Sequence, residues 1–248
     1  MNDLEKNNNL PWKIAAPSFI WPTRVGENCR LLAPLVQEVG IVLFETQGSL
    51  EYTQKDLPLE LKDLGLDYHV HLPLDLPWEQ GSSVLNAQVK GILEKIAFLN
   101  PWGYVLHPPP ELHDFKDFLR TWREWGLDSS ALLLENIEDH DLSPLWKDVE
   151  EQKCSICLDL GHLLVYEQEK ILEYPNLWPK VQLLHIYAPS GGHKHHSLAK
   201  LDSYGQKVLQ RILNSVKKDC TVLLEVFGPE DLRESLQAFH SWCAKWNF

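Results

Sequence analysis

The chain has 248 residues, 44% of them hydrophobic, which suits one large α/β domain or two small ones. It carries 23 Lys and Arg against 35 Asp and Glu, a formal net charge of -12, which disfavours nucleic acid and anionic membrane as partners. No secretory leader pattern and no run near the roughly 20 apolar residues of a membrane span occurs. The five cysteines are odd in number and scattered, so a cytoplasmic protein with reduced core thiols and no protein partner is the expectation.

Residues 1–11 read as a flexible polar tail and 12–248 as a single domain. Eight β-like runs recur along it: 13–19, 40–45 (GIVLFE), 67–73 (DYHVHLP), 103–107 (GYVLH), 131–135 (ALLLE), 154–159 (CSICLD), 181–187 (VQLLHIY) and 221–227 (TVLLEVF). Helical spacing fills the gaps at 27–38, at 86–99 with Val89, Ile92, Leu93 and Ile96, and at 111–125 with Phe115, Phe118, Leu119 and Trp122. A further helix at 203–216 follows a Ser203 cap, and the last opens on Pro229-Glu230-Asp231 and turns Leu232, Leu236, Phe239 and Trp246 toward a core. Weaker helical signals lie at 56–64, 142–150 and 167–173. Cys154 and Cys157 form a C-x-x-C, but a strand aims them at opposite faces, against a redox pair.

Strands apolar on both faces and separated by helices indicate a parallel sheet, and eight is the number that closes a (β/α)8 TIM barrel. An open doubly wound sheet would want a glycine-rich phosphate loop after the first strand. Phe19-Ile20-Trp21-Pro22 stands there instead.

The strand ends hold the chemistry. Glu45, His71, His107, Glu135, Asp159 with His162, His185 and Glu225 end or nearly end seven successive runs. Residue parity puts Glu45 on the face of Ile41 and Leu43, His107 with Val105, and Glu135 with Leu133. If those faces point inward, the polar ends meet at the C-terminal mouth, where barrel enzymes work. Singly, each has a plain reading: a terminal His is usually a satisfied core residue, a Glu after an apolar run a cap or ion-pair partner, and Asp159 a helix cap. Together they point to a divalent metal, zinc or manganese, which offsets the cost of crowding buried carboxylates. His113, His140 and His240 read as surface residues, His69 as a neighbour or underlayer of His71, and His193, His195 and His196 as a polar loop with at least one imidazole at the mouth.

The pattern resembles the xylose isomerase-like barrels, which include endonuclease IV, over nearly the whole chain. Carrying it are His71 in VHLPLD, His107-Pro108, Glu135, the D-x-x-H of Asp159 and His162, His185 and Glu225. The endonuclease branch has D-x-H in the loop after strand seven; here Lys194 stands at the Asp position and His196 at the His position, which implies fewer than three metals and favours His196 as a ligand. Phe19, Trp21, Pro22, Glu45, His71, Pro73 and Asp75 are further similar to the cobamide-remodelling phosphodiesterases. That resemblance implies hydrolysis of the nucleotide-loop phosphodiester to an α-riboside and cobinamide phosphate, with the cobamide a small-molecule substrate rather than a cofactor. It implies metal on Glu135, Asp159, His185 and Glu225, and His71 and His107 on a second ion or the phosphate. His162 and His196 would be outer ligands or proton donors to the leaving alcohol, and Glu45 a base. Glu45, Glu135, His162 and Glu225 are then the catalytic candidates. Arg24 is placed on the phosphate or in a surface ion pair, and Trp21, Trp78 and Trp102 near the mouth as apolar area for the corrinoid. A metal-dependent sugar isomerase or epimerase, with Glu135 and Glu225 exchanging a proton, is the alternative, followed by a non-catalytic metabolite-binding barrel.

Overall fold

The computed structural model describes residues 10–190 and 194–248, so the first nine residues of the expected tail, and His193, lie outside the described residues. Eight parallel strands close on themselves: β1 (Lys13–Pro17), β2 (Glu38–Val42), β3 (Asp67–His71), β4 (Tyr104–Leu106), β5 (Leu132–Glu135), β6 (Ser155–Asp159), β7 (Val181–Ile186) and β10 (Thr221–Leu224). Their order around the barrel is β1-β10-β7-β6-β5-β4-β3-β2. The (β/α)8 barrel expected from the eight apolar runs is therefore the observed fold. An additional antiparallel hairpin, β8 (Ala188–Ser190) with β9 (Lys194–His196), follows β7 at the mouth.

Amphipathic helices cover the outside. The main ones are α1 (Val25–Leu32), α3 (Ser82–Ile96), α4 (Leu112–Glu124), α8 (Ser203–Ser215) and α9 (Pro229–Lys245). Phe115, Phe118 and Trp122 of α4 and Leu232, Leu236 and Phe239 of α9 are buried in the layer between helices and strands. Each such side chain contributes about 1.5–3 kcal/mol by leaving water. Inside the barrel, Ala15, Val105, Leu133, Cys157, Leu183 and Leu223 form a separate apolar plug beneath the mouth. Cys154 lies in the outer layer and Cys157 in the plug, and all five cysteines are free and buried.

Several local expectations change. The helix expected at 27–38 stops at Leu32, because 38–42 pair in register with 67–71 as β2. That moves the inward parity of β2 to Glu38, Gly40 and Val42: a Cβ on Gly40 would lie 2.6 Å from His69 Nε2 inside the barrel. Ile41 and Leu43 face the helix layer, and Glu45 is carried past the strand end to the exposed N-cap of the short helix α2 (Thr46–Glu51). Its side chain makes no cap bond there. The cap of α8 is Asp202 rather than Ser203, its carboxylate accepting the Gly205 N–H at 2.7 Å. Short helices α5 (Trp146–Gln152), α6 (Leu160–Val165) and α7 (Leu177–Lys180) complete the set.

The barrel base is polar. Glu38, fully buried, accepts from Trp102 Nε1 at 2.8 Å, Thr221 Oγ1 at 2.9 Å and His69 Nδ1 at 2.5 Å. Trp102 thus sits under the apolar plug, not at the mouth, because it precedes β4 rather than following it. His69 likewise belongs to this underlayer. No helix among the described residues is long and apolar enough to cross a membrane.

Candidate metal centre at the barrel mouth

Parity along each strand aims a polar side chain inward at the same height, one step above the apolar plug. β3 supplies His71, β5 Glu135 and β6 Asp159; β7 supplies His185, and Glu225 follows β10. All five are buried, Asp159 and His185 completely. Donor atoms of Glu135, Asp159, His185 and Glu225 lie within 4.8 Å of one another, and so do those of His71, Glu135 and His185.

Glu135 is the hub. Its Oε2 lies 3.1 Å from His71 Nε2 and 3.3 Å from His107 Nε2. Its Oε1 lies 3.2 Å from His185 Nδ1 and 3.7 Å from His162 Nδ1. His185 Nδ1 also stands 3.4 Å from Glu225 Oε1 and 3.8 Å from Asp159 Oδ2.

Backbone carbonyls set the tautomers. Since a carbonyl oxygen only accepts, His71 Nδ1–H donates to Leu72 O at 2.9 Å, and His162 Nδ1–H donates to Asn136 O at 2.9 Å. With Nδ1 so engaged, each imidazole keeps Nε2 for a metal once its proton leaves; at His71 that Nε2–H here donates to Glu135 Oε2 at 3.1 Å. Asp159 divides its work: Oδ1 caps α6 by accepting the His162 N–H at 2.6 Å, while buried Oδ2 has no hydrogen-bond partner. Asn136 ties the two strand ends together, accepting Asp159 N–H at 2.8 Å and donating to Asp159 O at 3.1 Å. Gln168 accepts from Asn136 at 3.1 Å and so buttresses the pair.

The electrostatics are those of an anionic nest. Burial pushes the Glu135 carboxyl up, but His185, His107 and His71 more than reverse this and hold it well below the usual carboxylate range. Burial, with Glu135 adding and His162 opposing, lifts Asp159 to about 7. Burial and the charges of Asp159 and Glu135 push Glu225 well above its ordinary value. Burial takes His185 down to about 4. For His71 and His162 burial is outweighed by the neighbouring carboxylates, and both rise.

Three carboxylates crowded without a cation oppose one another's ionisation, and Asp159 Oδ2 and Glu225 Oε2 are buried with no hydrogen bond. A divalent ion among mixed oxygen and nitrogen donors satisfies both atoms, and zinc or manganese matches that donor set. Glu135, Asp159, His185 and Glu225 would hold one ion, and His71, Glu135 and His185 form a second, overlapping donor group, with His107 Nε2 3.3 Å from Glu135 Oε2 at its edge.

The remaining sequence candidates are placed elsewhere. Glu45 is exposed on α2 and outside the cluster. Neither His195 nor His196, both half-buried on β9, is among the grouped donors, but it is His195 rather than His196 that reaches Glu225. His195 Nδ1 donates to Glu225 O at 3.0 Å and lies 3.4 Å from Glu225 Oε2. One-residue alternation along β9 decides this, and sequence alone did not reveal that a strand was there. Arg24 pairs with Asp56 at 3.4 Å on the surface. Asp75 accepts from the Thr46 amide at 2.6 Å and hydroxyl at 2.8 Å, fixing α2 to the loop after β3. Trp78 packs on Phe118, and Trp21 is half-buried against the core. The aromatic surface of the mouth is instead Phe19, edge to face on Phe44, which meets Phe227 at a tilt, and Phe227 in turn reaches His195, which stacks on Tyr187.

No family model and no curated protein matches the sequence. Solved structures do. A D-tagatose 3-epimerase-like protein superposes with a TM-score of 0.74 at 17% identity, over 95% of this chain and 98% of that one. Endonuclease IV from Thermus thermophilus gives 0.71 at 20% identity, over 94% and 99%. The IolI protein, a structure with a zinc atom, gives 0.65 at 13% identity, over 95% and 96%. At these identities the likeness is one of fold: the chain is a closed (β/α)8 barrel, an architecture it shares with a D-tagatose 3-epimerase-like protein and with endonuclease IV.

Proposed function

We propose that the barrel is a metal-dependent phosphodiesterase, and that its substrate is the one the sequence resemblance implies, the nucleotide-loop phosphodiester of a cobamide. The observation that carries the hydrolytic reading is the sharing of Glu135. Two imidazoles meet one of its oxygens and two meet the other. A carboxylate shared by two donor groups could serve more than one ion, and a paired-metal site is one that stabilises in-line displacement at phosphorus. When bound, divalent metal supplies Lewis acidity toward the phosphoryl oxygens and lowers the pKa of water.

The chain's own groups supply the rest. His71 and His107 line the β3–β4 side of the mouth beside Glu135 and would help hold the metal that meets the phosphate. His162, its Nδ1–H fixed on Asn136 O, turns its ring edge to the same space and is placed to protonate a leaving alcohol. The plug formed by Val105, Leu133, Cys157, Leu183 and Leu223 closes the floor against water. Phe19 and Phe227, 42% and 39% exposed, give the organic part of the substrate an apolar rim.

Incubating the metal-loaded protein with a complete cobamide and separating the products tests this. Release of an α-riboside and cobinamide phosphate, lost with chelator, is expected. Intact cobamide under zinc, manganese and cobalt rejects the substrate. The second reading, sugar epimerisation, rests on Glu135 at the end of β5 and Glu225 just after β10 sharing one donor cluster. It requires exchange of a substrate C–H proton with solvent deuterium, which hydrolysis does not produce. Tight binding of ligand without either product would leave a non-catalytic barrel.

A further inference from the structure

Tyr187 has no part in the donor set, yet it touches both ends of it. It links β7 to the β8–β9 hairpin and is 3% exposed. One face of its ring lies flat on His195, with centroids 3.8 Å apart and planes 10° from parallel. Its ring also meets His162 edge-on at 6.4 Å. The tip of the ring fills the space a side chain would take at Gly161: an added Cβ would lie 2.0 Å from Cζ, 2.3 Å from Cε2 and 2.4 Å from the hydroxyl. Gly161 is the residue between Asp159–Leu160 and His162, in the first turn of α6, whose backbone Asp159 caps.

We propose that Tyr187 is a positioning residue, a flat spacer that Gly161 admits and that holds His195 at its contact with Glu225. The contacts form a continuous path from Gly161 through the Tyr187 ring to His195, and from His195 Nδ1 to Glu225 O at 3.0 Å. Phe227 meets the His195 ring at 5.2 Å. The imidazole therefore has neighbours on both sides, and a shift of the Tyr187 ring passes to it. The Cβ of any residue other than glycine at 161 falls well inside the contact distance of the ring carbons, at 2.0 Å from Cζ, so the ring must move. The phenol oxygen is not needed for this role; the ring is.

Two readouts test the spacer, and only the second rests on the metal reading above. The first is the proton NMR resonance of the His195 ring, identified by its loss in His195→Gln, because a stacked aromatic face shifts it upfield. The second is zinc affinity by calorimetry, where displacing a group that supports a ligand weakens binding about 10–100-fold. Tyr187→Phe keeps both readouts at their native values. Tyr187→Ala and Gly161→Ala each lose the upfield shift and weaken zinc binding. Adding Gly161→Ala to Tyr187→Ala changes zinc affinity less than about twofold further, since the ring it would strike is gone. If Tyr187→Ala does not fold, Tyr187→Leu, which fills the core without a flat face, gives the same result. An unchanged His195 resonance in Gly161→Ala, or the same loss of zinc affinity from Gly161→Ala with and without the Tyr187 ring, overturns the proposal. Should the native protein take up no zinc, the metal reading fails and the His195 resonance decides this one.

Discussion

Glu135 takes His71 and His107 on one oxygen and His185 and His162 on the other, so replacing it removes the common ligand of both donor groups. Glu135→Gln is expected to cut zinc or manganese affinity at least about 100-fold by calorimetry. Glu225→Gln loses metal as well, but the metal-free variant should melt about 2–6 °C higher than the native protein. It removes a carboxylate that opposes Asp159 and Glu135, a gain of about 1–2 kcal/mol. Proton linkage gives a second expectation at this scale. Asp159, at about 7, and Glu225 are raised above their unfolded values, so without metal the native chain holds their protons and loses stability as pH rises from about 4 through 7. His71 and His162 are raised too. Metal must expel all these protons. Affinity should therefore climb with pH through about 7, where Asp159 gives up its proton, measured as Kd at successive pH values; a profile flat from about pH 5.5 to 8 would contradict the coupling.

Each strand aims its last inward residue at the mouth and its first inward residue at the base, and the two ends do different work. At the base, Glu38 of β2 draws together His69 of β3, Trp102 before β4 and Thr221 of β10. Glu38→Ala leaves those donors buried without an acceptor, which should cost about 3–5 kcal/mol in urea denaturation while zinc affinity stays within about threefold. A loss of affinity like that of Glu135→Gln would show that base and mouth are not separable. The division explains which parts of the site were legible in the sequence. His71, Glu135, Asp159 and Glu225 stood out because short apolar runs end at or near them, and the alternation of the strand then sets which way each points. Glu45 stands outside the donor cluster because the inward positions of β2 are Glu38, Gly40 and Val42, so the odd-numbered residues face the helix layer, and the strand ends at Val42, three residues before it. His195, Tyr187 and Gly161 were not legible as a unit. A three-residue strand in a polar loop has no periodic signal, and the notch at Gly161 exists only once the hairpin folds back across α6.

The whole barrel is apolar in its middle, polar at both ends, and built with an anionic nest at the mouth that lowers its stability without a counter-ion. Binding a cation to the native state alone should therefore raise the melting temperature. At a metal concentration about 100 times Kd the gain is about 2.7 kcal/mol, or about 5–10 °C for a domain of this size, reversed by chelator. The likeness to epimerase-like proteins and to endonuclease IV fixes the scaffold, and it is the ligands around Glu135 that set the reaction. Anomalous diffraction from crystals of the zinc- or manganese-loaded protein tests this most directly. Two peaks flanking the Glu135 carboxylate are predicted, one bounded by His71 and His107 and the other by Asp159, His185 and Glu225. No peak within bonding distance of Glu135 in fully metal-loaded crystals would contradict a metal centre at this mouth.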